Sequence, residues 1–273
     1  MSTKWVKKAS GETVEFDVSK LKTSLFKAGA SDELISSITE QVESEILEVT
    51  TTRSIYKKAY KLLRAASQKL AGKYKLKKAI LELGPSGYPF EHYIAQLLRY
   101  QGFEVGVGLE MKGRCLPHEV DILGTKENTT IIGECKHHSQ NGYKSDVKTP
   151  LYVHSRFQDI INGADLNSDR SIECWIFTNT RFTSDAESYA TCYGLKLVSW
   201  DHPNKGSLKE RIELSKYYPI TSLYSLTKKE KELLMNEGVV LCKQIIEAPQ
   251  LLSPIDSRKH KKIIKESISI CNN

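Results

Sequence analysis

Asp121, Glu134 and Lys136 are the residues of this chain whose types and spacing could do chemistry. They lie in the run His118-Glu-Val-Asp-Ile-Leu-Gly124, followed by a polar link and then Ile131-Ile-Gly-Glu-Cys-Lys136. Two carboxylates held close together bind a hard divalent cation through oxygen, and such an ion neutralises a phosphodiester and activates water. A lysine beside them can orient the attacking water or stabilise charge developing on phosphorus. A plainer reading stands next to this one: hairpins often carry solvent-facing Asp, Glu and Lys, and an acid-x-Lys triplet arises by chance.

Two apolar strands must position these groups. Side chains alternate along a strand, so Glu134 and Lys136 share one face and Cys135 takes the other, while Asp121 shares its face with Glu119 and Leu123. The link Gly124 to Thr130 is short and polar and contains Asn128, which predicts a hairpin that brings both carboxylates to one edge. Upstream, Phe90, Ile94, Leu97 and Leu98 recur at helical spacing before Gly102, with Glu91 in the first turn. Downstream the chain reads as a helix over Leu151 to Ala164, a strand over Ser171 to Asn179, a helix over Ser184 to Tyr193 and a short strand over Leu195 to Trp200. That alternation predicts an α/β fold with a mixed sheet flanked by helices. Thr178, Asn179 and Arg181, at a strand end, could touch DNA or simply turn the chain and cap the next helix.

The order helix with acid, strand, strand with Asp, strand with Glu-x-Lys, helix resembles the PD-(D/E)xK restriction-endonuclease superfamily, in particular its Mrr-like and Holliday-resolvase-like branches. The resemblance implies Glu91 as the first-helix acid, Asp121 and Glu134 as ligands of Mg²⁺ or Mn²⁺ together with the backbone carbonyl of Cys135, and Lys136 as the catalytic lysine. Val120 stands where the family often has proline. His118, as a phosphate contact or a strand-edge structural histidine, and Gln158, as a polar residue facing the site, are candidate DNA contacts. A zinc site from Cys115, His118, Cys135 and His138 is the competing metal reading, opposed by the alternation that turns Cys135 away from Glu134.

The first eighty or so residues form a different unit. Trp5 to Phe16 alternates around Gly11 as a small hairpin, and helical stretches follow near Val18 to Ala28, Asp32 to Glu48 and Thr52 to Leu83. Val6-x-Lys8-x-x-Gly11, Phe16-Asp17-x-x-Lys20-Leu21, Thr51-Thr52-Arg53-x-Ile55-Tyr56 and Ala71-Gly-Lys-Tyr74 together resemble the ATP-cone, a regulatory nucleotide-binding module. The resemblance implies ATP or dATP as effector, with Lys8 and Lys20 meeting the phosphates and Val6 against the base. Ala9 and Ser10 depart from the basic and acidic residues common in that turn. The alternative is a small helical DNA-binding or dimerisation domain whose lysines are a solvated face.

Three regions are therefore expected: a helical cone with a small hairpin over 1–84, a restriction-endonuclease-like mixed α/β core over 85–202, and a small helical C-terminal region over 220–273. Gly84-Pro-Ser-Gly87 supplies the breakers for the first junction, and the polar stretch His202 to Ile220 the second. Forty Lys and Arg against 33 Asp and Glu leave a net charge of +7, with lysines clustered over 57–78, 136–148 and near Lys228 and Lys259, a pattern suited to a phosphate backbone. Six scattered cysteines without C-x-x-C pairs point to reduced thiols, and the absence of a long apolar run or signal-peptide core points to a cytoplasmic protein. The functional expectation is a DNA endonuclease of restriction or phage-defence type, gated by adenine nucleotide and at least dimeric. The alternative is a nucleotide-responsive DNA-binding regulator on an inactive nuclease-like scaffold.

Overall fold

The computed structural model describes residues 4–8, 11–46, 50–84, 86–140, 142–163 and 170–271. The expected turn residues Ala9 and Ser10, the end of the 32–48 helix, Pro85 of the first junction and Ala164 lie outside them.

The chain opens with a hairpin, β1 (Trp5–Lys7) and β2 (Thr13–Glu15), paired Val6 to Val14. Gly11 makes the turn possible, since its φ of 90° is a conformation that side-chain-bearing residues rarely adopt. Helices α1 (Val18–Lys27), α2 (Asp32–Ser44) and α3 (Thr52–Ala66) follow. Asp17, Ser31 and Thr51 cap them by accepting backbone N–H groups of the first turn. Val6, Leu21, Leu25, Ile38, Ala59 and Leu63 close this N-terminal core.

The continuous helix expected over 52–83 is instead two helices, α3 and α4 (Gln68–Leu81). Ser67 breaks it, with extended backbone (φ −157°, ψ 118°), its amide closing α3 on Leu63 and its hydroxyl capping α4 at Leu70. The reason is tertiary. Ile55, Ala59 and Leu63 face the N-terminal core, whereas Leu76 and Ile80 of α4 and Leu83 just after it belong to the main core, and one straight helix would not serve both.

The main unit is mixed α/β. After α5 (Tyr88–Tyr100) come β3 (Glu104–Lys112), β4 (Pro117–Lys126), β5 (Thr129–Lys136), the two-residue β6 (Lys144–Ser145), α6 (Lys148–Ile161), β7 (Ser171–Thr178), the two-residue β8 (Arg181–Phe182), α7 (Ser184–Tyr193) and β9 (Lys196–Val198). One sheet has the order β3-β4-β5-β7-β9, antiparallel across β3, β4 and β5 and parallel across β5, β7 and β9. The expected loop Gly124 to Thr130 is mostly strand: Gly124, Thr125 and Lys126 pair with Ile131, Thr130 and Thr129. Only Glu127 and Asn128 turn, and Glu127 takes a left-handed φ of 48°.

The two sheet faces are covered differently. Ile122, Ile131, Cys135 and Phe177 pack on the α5 side, while Cys174 and Ile176 pack under α6 and α7 with Val153 and Ala186. Past the sheet run α8 (Leu208–Ser215), α9 (Lys228–Asn236), α10 (Cys242–Glu247) and α11 (Ser257–Cys271). The stretch 202–220 contains α8, whose Leu208 and Ile212 share the main core with α5, Leu234, Ile245 and Ile263.

Candidate active site

The β4–β5 register explains how the carboxylates meet. The ladder ends at Ile122 opposite Gly133, so the next position sets Asp121 across from Glu134. There β4 continues along β3 to Pro117 and β5 along β7 to Lys136. The two strands part company into a wedge. The Cys135 amide, which points toward β4, donates to Asp121 Oδ2 at 2.7 Å, so a carboxylate takes the place of a strand carbonyl.

Glu134 is 3% exposed, as little as a core leucine, and must be paired to remain charged. Lys136 Nζ lies 2.5 Å from its Oε1, and Arg156 of α6 donates to its Oε2. Arg156 is the functional residue that sequence reasoning missed. It occupies the apolar stripe Val153, Arg156, Ile160 of α6, and an arginine in a stripe of buried side chains is the signal that could have found it. Gln158, expected at that position, does not face the carboxylates. Its amide meets His154 one turn earlier, because residues 154 and 158 share a different side of the helix.

Glu91 enters from the first turn of α5. Burial raises its carboxyl to a pKa of about 7, and the neighbouring Asp121 and Glu119 charges add to the rise while Lys136 opposes it. Asp121 is also raised, mainly by burial, against the Cys135 hydrogen bond and the Lys136 and Arg156 charges. Glu91, Glu119 and Asp121 thus crowd negative charge beside the wedge. Among the described residues no three His, Cys, Asp or Glu side chains form a ready cage for a metal ion. The arrangement fits an ion held by two carboxylates and completed by backbone oxygen, water and phosphate, since hard cations such as Mg²⁺ keep several non-protein ligands.

Other expected contacts are placed elsewhere. His118 Nε2 lies 2.8 Å from Asp159 Oδ2, which also accepts the Leu116 amide, so the ring is tied to α6 as a structural histidine. Thr178 and Asn179 are fully buried, which overturns their reading as DNA contacts. Thr178 donates to the Lys136 carbonyl at 2.8 Å, and Asn179 grips both the amide and the carbonyl of His138. They brace the chain just beyond the lysine. In the competing zinc set, Cys135 lies in the main core and the His138 ring meets Ser145.

At the N-terminal unit, Val6 is buried among Leu21 and Leu25, so its side chain serves the core. Lys8 pairs with Glu12 at 2.9 Å, and Lys20 with Asp17 at 3.4 Å. No contact joins the two lysines among the described residues.

Comparison with known proteins adds relatives but no chemistry. Residues 218–271 match the family model described as AF1548-like, C-terminal. An Archaeoglobus fulgidus protein described as uncharacterized is 30% identical over 177 residues, spanning 64% of this chain and 97% of that protein. The crystal structure of AF1548, described as a protein of unknown function, is 28% identical and covers 68% of this chain and 98% of its own, with a TM-score of 0.59. The MspJI restriction endonuclease in complex with a 27-mer oligonucleotide overlaps 75% of this chain and 39% of its own at 13% identity and a TM-score of 0.33, too little for any inference about this chain. No helix among the described residues is long and apolar enough to cross a membrane.

Proposed function

The chain belongs to the AF1548-like family, and we propose that it is a metal-dependent DNA endonuclease of the PD-(D/E)xK type. The observation that carries the reading is the opposition of Asp121 and Glu134 where the β4–β5 ladder ends, with Lys136 on the same face as Glu134. Asp121, Glu134 and the Cys135 carbonyl would hold Mg²⁺ or Mn²⁺, with Glu91 completing the acidic wall. The ion would supply charge neutralisation at phosphorus and a water of lowered pKa. Lys136, which pairs with Glu134 in the structure, would orient the attacking water or meet the charge that develops on phosphate. Arg156 would keep the second Glu134 oxygen in register. The basic surface would give sequence-independent affinity for the backbone.

The test is plasmid nicking with Mg²⁺. Asp121→Asn and Glu134→Gln should each abolish cleavage while leaving DNA binding near that of the wild type. Full cleavage by both would sink the assignment. A second reading, a DNA-binding regulator on a nuclease-like scaffold, draws on the pairing of Glu134 with both Lys136 and Arg156. It expects no metal binding and no cleavage by the wild type.

The proposal extends to ATP or dATP as an effector of the N-terminal unit, in an assembly of at least two copies. What supports it is the hairpin-plus-helices layout with Lys8, after β1, and Lys20, in the first turn of α1, both exposed. Light scattering across an ATP titration should show a change of mass, and a flat mass with nucleotide bound would rule out assembly control.

A further inference from the structure

A sizeable cleft lies away from the carboxylates. It has a volume of about 740 Å³ and is walled by the α1 C-terminal turn, α4, the segment 181–201 and α8 with the turn after it. Six cations line it, Lys27, Lys73, Lys77, Arg181, Lys209 and Lys216, against two acids, Asp201 and Glu213. Both acids are engaged, Asp201 by Arg181 and Glu213 by Lys209. Lys27, Lys73, Lys77 and Lys216 form no ion pair within 4 Å among the described residues, although Glu213 acts on Lys73 and Asp201 on Lys77 from farther away. Like charges brought together from separate segments repel one another, so the fold bears a cost here that a bound polyanion would remove.

The same walls are aromatic. Tyr74, Trp200 and Tyr218 line the cleft, and Phe26 stands at it 68% exposed. Lys77 Nζ sits 5.8 Å from the Trp200 ring centre. Tyr56 stacks on Tyr74 with ring centres 5.1 Å apart, and its hydroxyl is sealed from solvent without a hydrogen-bond partner among the described residues.

We propose that this cleft binds a nucleoside polyphosphate, with its phosphates among the excess lysines and its base against the aromatic walls. The cations converge from several segments around one volume instead of forming a row, which suits a compact polyphosphate better than a running strand. Val6, Lys8 and Lys20 do not line the cleft, so the inference is independent of the effector reading at the Gly11 turn and of the nuclease reading.

The experiment is calorimetric titration of the full chain with ATP, with inorganic triphosphate and with a ten-nucleotide single strand. Lys73→Ala with Lys77→Ala should weaken ATP binding at least about ten-fold, since each lysine makes charge-assisted contacts with phosphate. Lys209→Glu, on the opposite wall, should do the same, and triphosphate should bind more weakly than ATP because it lacks a base. Lys8→Ala with Lys20→Ala should leave the affinity of this cleft unchanged, whatever becomes of the other site. Urea melts of the lysine variants should match or exceed the wild type, because the charge crowding is relieved. ATP affinity unaffected by both cleft variants, or absent from the wild type, overturns the proposal. A single strand that binds tighter than ATP and is lost in the same variants overturns it in favour of a strand groove.

Discussion

Replacing Arg156 with methionine isolates the energetics of the carboxylate wedge. The substitution keeps most of the stem volume and removes one of the two cations on Glu134, a residue 3% exposed. Removing one partner from a buried ion pair costs about 3–5 kcal/mol. Lys136 remains 2.5 Å from the other oxygen and its own side chain is 39% exposed, so solvent reaches that half of the pair. About half of the full cost, roughly 2 kcal/mol, is therefore expected. The assay is urea unfolding followed by tryptophan fluorescence, since Trp175 and Trp200 both belong to or pack on the main core. With a slope of about 3 kcal/mol per molar urea, the midpoint should fall by roughly 0.7 M at pH 8. The double variant Arg156→Met with Glu134→Gln buries no charge and should recover to within about 1 kcal/mol of the wild type. A deficit below about 0.5 kcal/mol, or a double variant as weak as the single, would each refute the buried-pair account.

Glu91, at a pKa of about 7 against an ordinary 4.5, holds in the folded state a proton that the unfolded chain has released. Its contribution to stability must therefore fall as pH rises through that window, and Glu91→Gln should flatten the fall in urea melts between pH 4.5 and 7; an unchanged slope removes Glu91 from the acidic cluster. Lys231 on α9 is 9% exposed and its amine is lowered to about 7 by burial and the nearby Lys75 charge. The folded state binds fewer protons than the unfolded one between about 7 and 10.5, so stability from this group rises with pH across that range. Lys231→Met should stabilise by about 1–2 kcal/mol at pH 6 and by little at pH 10, because Lys75 still satisfies the Thr221 carbonyl; destabilisation at pH 6 would contradict the sign. Lys136→Gln should slow single-turnover cleavage about 100-fold or more with metal affinity little changed, and an unaltered rate would take the lysine out of the chemistry.

Much of this molecule is legible in the chain alone, for a local reason. The period-two runs of β4 and β5 and the helical spacing of α5 report which way each side chain points, so the common face of Glu134 and Lys136 and the opposite direction of Cys135 follow from alternation. The helix starts expected at Val18, Asp32 and Ser184 hold, each capped by the residue before it, Asp17, Ser31 or Thr183, accepting a neighbouring amide. Contacts between distant segments leave no such periodic trace. That the β4–β5 ladder stops at Ile122 is decided by β4 staying with β3 while β5 stays with β7. The choice of Arg156 over Gln158 depends on which side of α6 lies on the sheet, and the burial of Asn179 on where the chain runs after Lys136. Ser67 breaks a helix whose local propensity runs on without interruption, because the two apolar stripes beside it answer to different cores. Sequence determined the chemistry available on each element; tertiary packing decided which charges share a dry space, since desolvation and pairing act through distance in space and not along the chain.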